Sequence, residues 1–88
     1  MKRSKIDIVY DMLKAIEEKG GKIIPTHLLY KSNLSHQRMK LYLEELKQKN
    51  LLVEMHQKGK TFFELTDAGR KFIQDYRKMK EFTQAFGL

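Results

Sequence analysis

Cysteine is absent from the chain, proline occurs once, and no apolar run approaches the roughly 18 to 20 residues needed to span a bilayer. Without cysteine there are no disulfides, no thiolate-held zinc or iron-sulfur centre and no thiol nucleophile, and nothing suggests a secreted disulfide scaffold. At 88 residues the chain is too short for a multidomain enzyme. Hydrophobic residues make up 41%, enough for one small core, although a chain this size buries a modest share of its surface and is often helped by self-association. The start, Met1-Lys2-Arg3-Ser4-Lys5, carries the charge of a signal peptide, but Asp7 and Asp11 interrupt the apolar stretch that would have to follow. It reads as a basic arm. The expected setting is soluble and cytoplasmic.

What the chain has is positive charge: 18 Lys and Arg against 11 Asp and Glu, a formal net +7. Residues 1–66 hold 13 of those cations against 8 acids, so most of the excess precedes the final quarter. A small basic domain of this kind favours an anionic partner, most commonly nucleic acid.

The apolar positions divide the chain into elements. From Ser4 to Lys19, Ile6, Val9, Tyr10, Leu13 and Ile16 recur at helical steps, and Gly20-Gly21 closes the helix. A second apolar set, Ile8, Met12 and Ala15, falls on the other side of the same helix, which predicts a helix covered on both sides. One side is expected to face the core, the other a second helix or a second subunit. Lys22-Ile23-Ile24 reads as a short extended piece, and Pro25 opens a short helix to Lys31. Ser32-Asn33 breaks it and Leu34 supplies an apolar anchor. Ser35 then caps a third helix from His36 to about Lys49, whose core side holds Met39, Tyr42, Leu43 and Leu46, with Asn50 as a left-handed stop. Two strands, Leu51 to Gln57 and Thr61 to Leu65, flank a basic tip at Lys58-Gly59-Lys60. Thr66 caps a last helix from Asp67 to about Phe86. In it Phe72, Tyr76, Met79, Thr83 and Phe86 alternate steps of four and three, a coiled-coil seam that two heptads cannot sustain without a partner.

Helix, short helix, turn, helix and β-hairpin is the order of a winged helix-turn-helix, in which the third helix enters the major groove and the hairpin reaches the adjacent backbone. The expected fold is therefore α+β, mostly α: a winged-helix DNA-binding domain over residues 1–66, then a long C-terminal coiled-coil dimerisation helix over residues 67–88. Thr26 to Ser35, the pairs Tyr42-Leu43 and Leu51-Leu52, and Phe63-Glu64-Leu65-Thr66-Asp67-Ala68-Gly69 together resemble the small archaeal winged-helix proteins of chromatin and transcription. The resemblance covers nearly the whole chain. It implies a homodimer joined by an antiparallel coiled coil, carrying two DNA-binding heads at the nucleoid. One departure is Asn50, which stands where such sequences often carry glycine.

The candidate nucleic-acid contacts follow from these placements. Gln37 and Arg38 suit adenine and guanine edges, Lys40 and Lys31 suit phosphate, and Ser35 and His36 stand at a helix start whose amides favour an anion. Lys58, Lys60 and Thr61 form the wing set. Glu44 and Glu45 repel phosphate and mark where such a surface ends, and Leu41 is expected to be an ordinary exposed leucine. Candidate dimer contacts are Ile8, Met12, Phe72, Tyr76, Met79, Phe82, Thr83 and Phe86. His27, His36 and His56 fall on separate elements without ligand spacing, so neither a metal nor a cofactor is expected. No triad or phosphate loop accompanies them, which leaves a nuclease as a weak alternative. The expected partners are double-stranded DNA and a second copy, with no membrane and no small-molecule ligand. The rival reading is a protein-interaction winged helix, with Leu41, Glu44 and Glu45 on a docking face.

Overall fold

The computed structural model describes residues 3–88, so Met1 and Lys2 of the expected basic arm lie outside the described residues. Helix α1 covers Lys5–Glu18, strand β1 Lys22–Ile23, α2 Pro25–Ser32, α3 His36–Gln48, β2 Leu52–Gln57, β3 Lys60–Leu65 and α4 Asp67–Ala85. This is a winged helix followed by a C-terminal helix, as the sequence order predicts.

Local chemistry sets the boundaries. Three hydroxyls cap three helices: Ser4, Ser35 and Thr66 accept from the amides of Asp7, Arg38 and Gly69 at 3.2, 3.2 and 3.0 Å. Each satisfies a donor the helix itself cannot. Gly21 donates back to the Ile16 carbonyl at 3.0 Å and holds φ at +99°, which stops α1. Asn33 and Asn50 take φ of 55° and 58°, so asparagine supplies the left-handed turns after α2 and α3. The exit from α3 thus needs no glycine. The wing tip is tighter than the expected three-residue link: Lys58 and Gly59, at φ 50° and 75°, form a two-residue turn of the kind that suits a twisted hairpin.

The sheet has three antiparallel strands in the order β1-β3-β2. Leu52 pairs with Leu65 at the base of the hairpin and Gln57 with Lys60 at its tip. The short piece at Lys22-Ile23 is a true strand, with Ile23 opposite Phe63.

Helix α1 is the centre of the core. Both of its apolar sides are buried, Val9, Leu13 and Ile16 as well as Ile8, Met12 and Ala15, and it meets α2, α4, β1 and β3 of its own chain. This corrects the assignment of Ile8 and Met12 to a dimer interface. They are 3% and 0% exposed inside the protomer, because α1 is surrounded by its own chain: α4 covers the side with Asp7, Tyr10 and Glu17, and α2 lies on the side with Asp11 and Glu18, next to Ile8 and Met12. The arm is also partly spent within the chain. Arg3 reaches Asp11 at 2.7 Å and the Ser32 carbonyl at 2.9 Å, and Lys5 reaches Glu45 at 2.6 Å.

The motif Leu65-Thr66-Asp67-Ala68-Gly69 is a junction between α3 and α4. The Thr66 hydroxyl donates to the Asn50 carbonyl at 2.6 Å while accepting from Gly69, and the Thr66 amide meets the Leu51 carbonyl at 3.4 Å. A Cβ on Gly69 would stand 2.1 Å from that Leu51 oxygen. Only glycine lets α4 start this close to the chain leaving α3.

Candidate nucleic-acid interface

Burying Met39, Leu43 and Leu46 turns the opposite side of α3 to solvent. His36, Gln37, Arg38, Lys40 and Leu41 are all exposed there, Leu41 at 68%. The first two turns of α3 contain no carboxylate before Glu44. At the helix start the Ser35 hydroxyl is taken up by the Arg38 amide and the Ser35 carbonyl by the Met39 amide, leaving the amides of His36 and Gln37 as the outward donors. Ser35 therefore acts through the cap and the amides it orients.

The wing extends the same chemistry. Lys58 and Lys60 are exposed on either side of Gly59 and, with Gln57 and Phe62, line a shallow recess of about 620 Å³. Thr61 is less free than expected. It is half-buried, and its hydroxyl is 3.1 Å from Nδ1 of His56, its cross-strand partner.

Charge pairing separates these cations from Lys5, Lys31 and Lys47 nearby. Among the described residues, Arg38, Lys40, Lys58 and Lys60 form no ion pair, whereas the carboxylates of Glu44, Glu45 and Glu54 do. Glu44 pairs with Lys47 at 2.8 Å, Glu45 with Lys5 at 2.6 Å, and Glu54 with Lys47 at 2.9 Å and with His56 at 3.0 Å. The Lys5 ammonium holds Glu45 below the usual carboxylate range, and Lys47 does the same to Glu54. Lys47, gripped first by Glu44 and then by Glu54, has its own pKa raised. The acids that should repel phosphate are thus neutralised locally, which braces α3 against the base of the wing and leaves the field to the unpaired cations.

Lys31 stands apart. In the last turn of α2 it faces Glu18 of α1 at 3.9 Å, and it is not gathered into the α3 and wing set. Sequence reasoning passed over Tyr30, the most exposed aromatic at 89%, on the helix that crosses the backbone in helix-turn-helix docking. Its signal was an aromatic beside polar residues on a short helix, in Thr26-His27-Leu28-Leu29-Tyr30.

The candidate dimer residues of α4 divide between two neighbouring stripes. Gly69, Ile73 and Tyr76 are buried toward the head, and Lys80 continues that line to Asp7 at 3.8 Å. The Tyr76 ring stacks on Tyr10 with centroids 4.0 Å apart, and its hydroxyl donates to Asp7. Burial, and then the bond to Asp7, push Tyr76 up to about 12; the same bond holds Asp7 below its ordinary value. Tyr76 is thus buried within its own protomer, a correction to its place among the dimer contacts. Thr83 follows Tyr76 at heptad spacing and is half-buried, its hydroxyl donating to the Lys80 carbonyl at 2.9 Å. Phe72, half-buried, and Met79, Phe82 and Phe86, exposed, make up the other stripe.

This geometry defines a winged helix-turn-helix with an unpaired basic face. A winged helix-turn-helix family profile matches residues 2–84, and the chain belongs to that family. Among solved structures, the chain is similar to Sso10a-2, a DNA-binding protein from Sulfolobus solfataricus, at 20% identity and a TM-score of 0.77, covering 97% of this chain and 90% of that one. It is similar to F93 from STIV, a winged-helix DNA-binding protein, at 17% identity and a TM-score of 0.74, covering 91% and 92%. A third similarity is to BpsR of Bordetella bronchiseptica, whose DNA binding is regulated by 6-hydroxynicotinic acid: 20% identity and a TM-score of 0.75, covering 89% of this chain and 58% of that one. No curated protein sequence matches. Among the described residues no helix is long and apolar enough to cross a membrane.

Proposed function

We propose that this protein is a non-enzymatic, homodimeric binder of double-stranded DNA, acting at the nucleoid as a transcriptional regulator or an architectural protein of chromatin. Residues 1–66 form the DNA-binding head. Residues 67–88 form the dimerisation helix, whose first turns also complete the head's core. The observation that carries the reading is the set of four unpaired cations on α3 and the wing, beside Glu44, Glu45 and Glu54, which are each paired. In this reading α3 enters the major groove by its first two turns. Gln37 and Arg38 reach base edges, each good bidentate pair discriminating by about 1–3 kcal/mol. Lys40, Lys58 and Lys60 neutralise phosphates, and the amides of His36 and Gln37 receive another. Sso10a-2 and F93 are both described as DNA-binding proteins, which supports the assignment.

Titration of a fluorescent duplex over a series of salt concentrations tests it. Each phosphate neutralised contributes a slope of about 0.9 in log affinity against log salt. Binding at low salt with a steep slope supports the reading. Absence of binding at low salt, with cross-linking in cells yielding one dominant protein partner, would instead assign the exposed Leu41 face to protein docking.

A further inference from the structure

The wing has two faces, and the core uses one of them. Side chains alternate along each strand, so Leu52, Phe63 and Leu65 turn inward and are buried, with Glu54, His56 and Thr61 on the same side. The other side carries Val53, Met55 and Gln57 from β2 and Lys60, Phe62 and Glu64 from β3. An outward hairpin face is ordinarily polar. Here Val53 is 36% exposed, and Met55 and Phe62, direct cross-strand partners, are only half-buried. Phe62 borders the recess of about 620 Å³ near the tip, whose other lining residues are Gln57, Lys58 and Lys60. The recess thus gathers one aromatic ring, one carboxamide and two ammonium groups, and no carboxylate lines it. Glu64, the acid on this face, lies further toward the base of the hairpin, in register with Lys22 of β1.

That set matches one nucleotide. An aromatic ring stacks on the face of any base, a carboxamide both donates to and accepts from a base edge, and an ammonium meets phosphate. Residues two apart on one strand stand about 7 Å from each other, so Lys60 and Phe62 are spaced to hold the phosphate and the base of the same nucleotide. Lys58, on the turn before Gly59, supplies a second cation for the neighbouring phosphate. A base inside a duplex has no free face to offer, and extruding it forfeits pairing and stacking. The occupant is therefore a base already unpaired. We propose that the outer face of the wing binds an unpaired base of single-stranded DNA continuing from the duplex held by α3, with Phe62 stacked on the base, Gln57 at its edge, and Lys58 and Lys60 on its backbone. This rests on the reading of α3 and the wing as the DNA-facing surface, and it names the class of DNA that surface prefers: a duplex next to a single-stranded tail. Stacking and a lone carboxamide discriminate little between bases, so the tail is held without regard to its sequence.

Titration of the unmodified protein against a short blunt duplex, and against the same duplex with a short single-stranded tail, tests this. The tailed duplex is expected to bind about tenfold more tightly at equal salt, the low side of what one stacked base contributes. A tail of abasic sugar-phosphate keeps the charge and removes the bases, and should lose that gain. With 5-iodouracil in the tail, near-ultraviolet irradiation should join the tail to Phe62, read by mass spectrometry of the digested adduct. Phe62→Leu, which keeps an apolar contact with Met55, should lose the preference for the tail, with circular dichroism checking its fold. Equal affinity for blunt and tailed duplexes, a gain that survives in the abasic tail, or cross-links confined to residues outside the recess would each overturn the proposal, and none of these needs a variant to fold. Those results leave duplex binding intact. Failure to bind blunt and tailed duplexes alike at low salt overturns the parent reading itself, and this proposal with it.

Discussion

Replacing Gly69 with alanine sets two effects of opposite sign against each other. Helix propensity favours alanine over glycine by about 0.8–1.0 kcal/mol in a helix interior. The site opposes it. The new Cβ would lie 2.1 Å from the Leu51 carbonyl oxygen and 3.1 Å from Cδ2 of Leu65, where ordinary contact begins at 3.4 Å. The leucine methyl can give way; the carbonyl is backbone, held by the turn through Asn50. Helix α4 must therefore shift by more than an ångström, which stretches the cap from Thr66 to Gly69 and the 2.6 Å bond from Thr66 to Asn50. Overpacking of this kind costs about 1–3 kcal/mol, and a lost cap about 1 kcal/mol more. The net destabilisation is about 2 kcal/mol. For a domain of this size each kcal/mol lowers Tm by about 4–8 °C, so the midpoint should fall by about 10 °C. Thermal unfolding followed by circular dichroism measures it, with Ala68→Gly on the exposed side of the same turn as the reference for propensity alone. A Gly69→Ala midpoint equal to or above the unmodified protein's would refute the close approach of α4 to Leu51.

Further expectations follow from the ion and hydrogen-bond pattern. Tyr76 binds its proton more tightly folded, near 12, than unfolded, near 10, so its contribution to stability is full below about pH 10 and is lost as pH rises from 10 to 12. Tyr76→Phe should flatten that alkaline loss, and an unchanged alkaline profile would contradict the buried Tyr76 to Asp7 bond. Asp7 works in the other direction: with its pKa lowered, the stability it confers is present above the unfolded carboxylate range and falls as pH drops through the folded value, which Asp7→Asn should abolish in acid titrations. Lys31→Ala should change DNA affinity less than Lys40→Ala, because Lys31 faces Glu18; equal losses in a duplex titration would restore Lys31 to the contact surface. Phe86→Ala, at an exposed position of the proposed dimerisation helix, should weaken duplex binding by weakening self-association, and unchanged affinity would separate DNA binding from dimerisation.

The features legible in the sequence are those decided within a few residues. Ser35 and Thr66 each act on an amide three positions later, so their caps could be read directly, as could the left-handed stop at Asn50; the same cap at Ser4 went unread. What the sequence withheld depends on contacts between distant segments. Ile8 and Met12 announce a second apolar side of α1, but only the packing of α2 beside it shows that the chain covers that side itself. Phe72 and Ile73 are adjacent and both apolar, so periodicity offers two stripes one residue apart. The heptad through Tyr76 and Thr83 mixed them, and only the Tyr10 stack shows which one faces inward. The same holds for charge. Arg38, Lys40, Lys58 and Lys60 look no different in sequence from Lys31 or Lys47, and their distinction lies in which carboxylates fold within reach.

That distinction is where the account is most exposed. The direct measurement compares the salt dependence of duplex binding for the unmodified protein with that of the variant carrying Arg38→Ala, Lys40→Ala, Lys58→Ala and Lys60→Ala together. With Lys40, Lys58 and Lys60 each neutralising one phosphate, the slope of log affinity against log salt should fall by about 2.7 per head, the loss of Arg38 should lower affinity further, and the thermal midpoint should stay unchanged. An unaltered slope and affinity in a folded variant would place the DNA, or the function, elsewhere on the molecule.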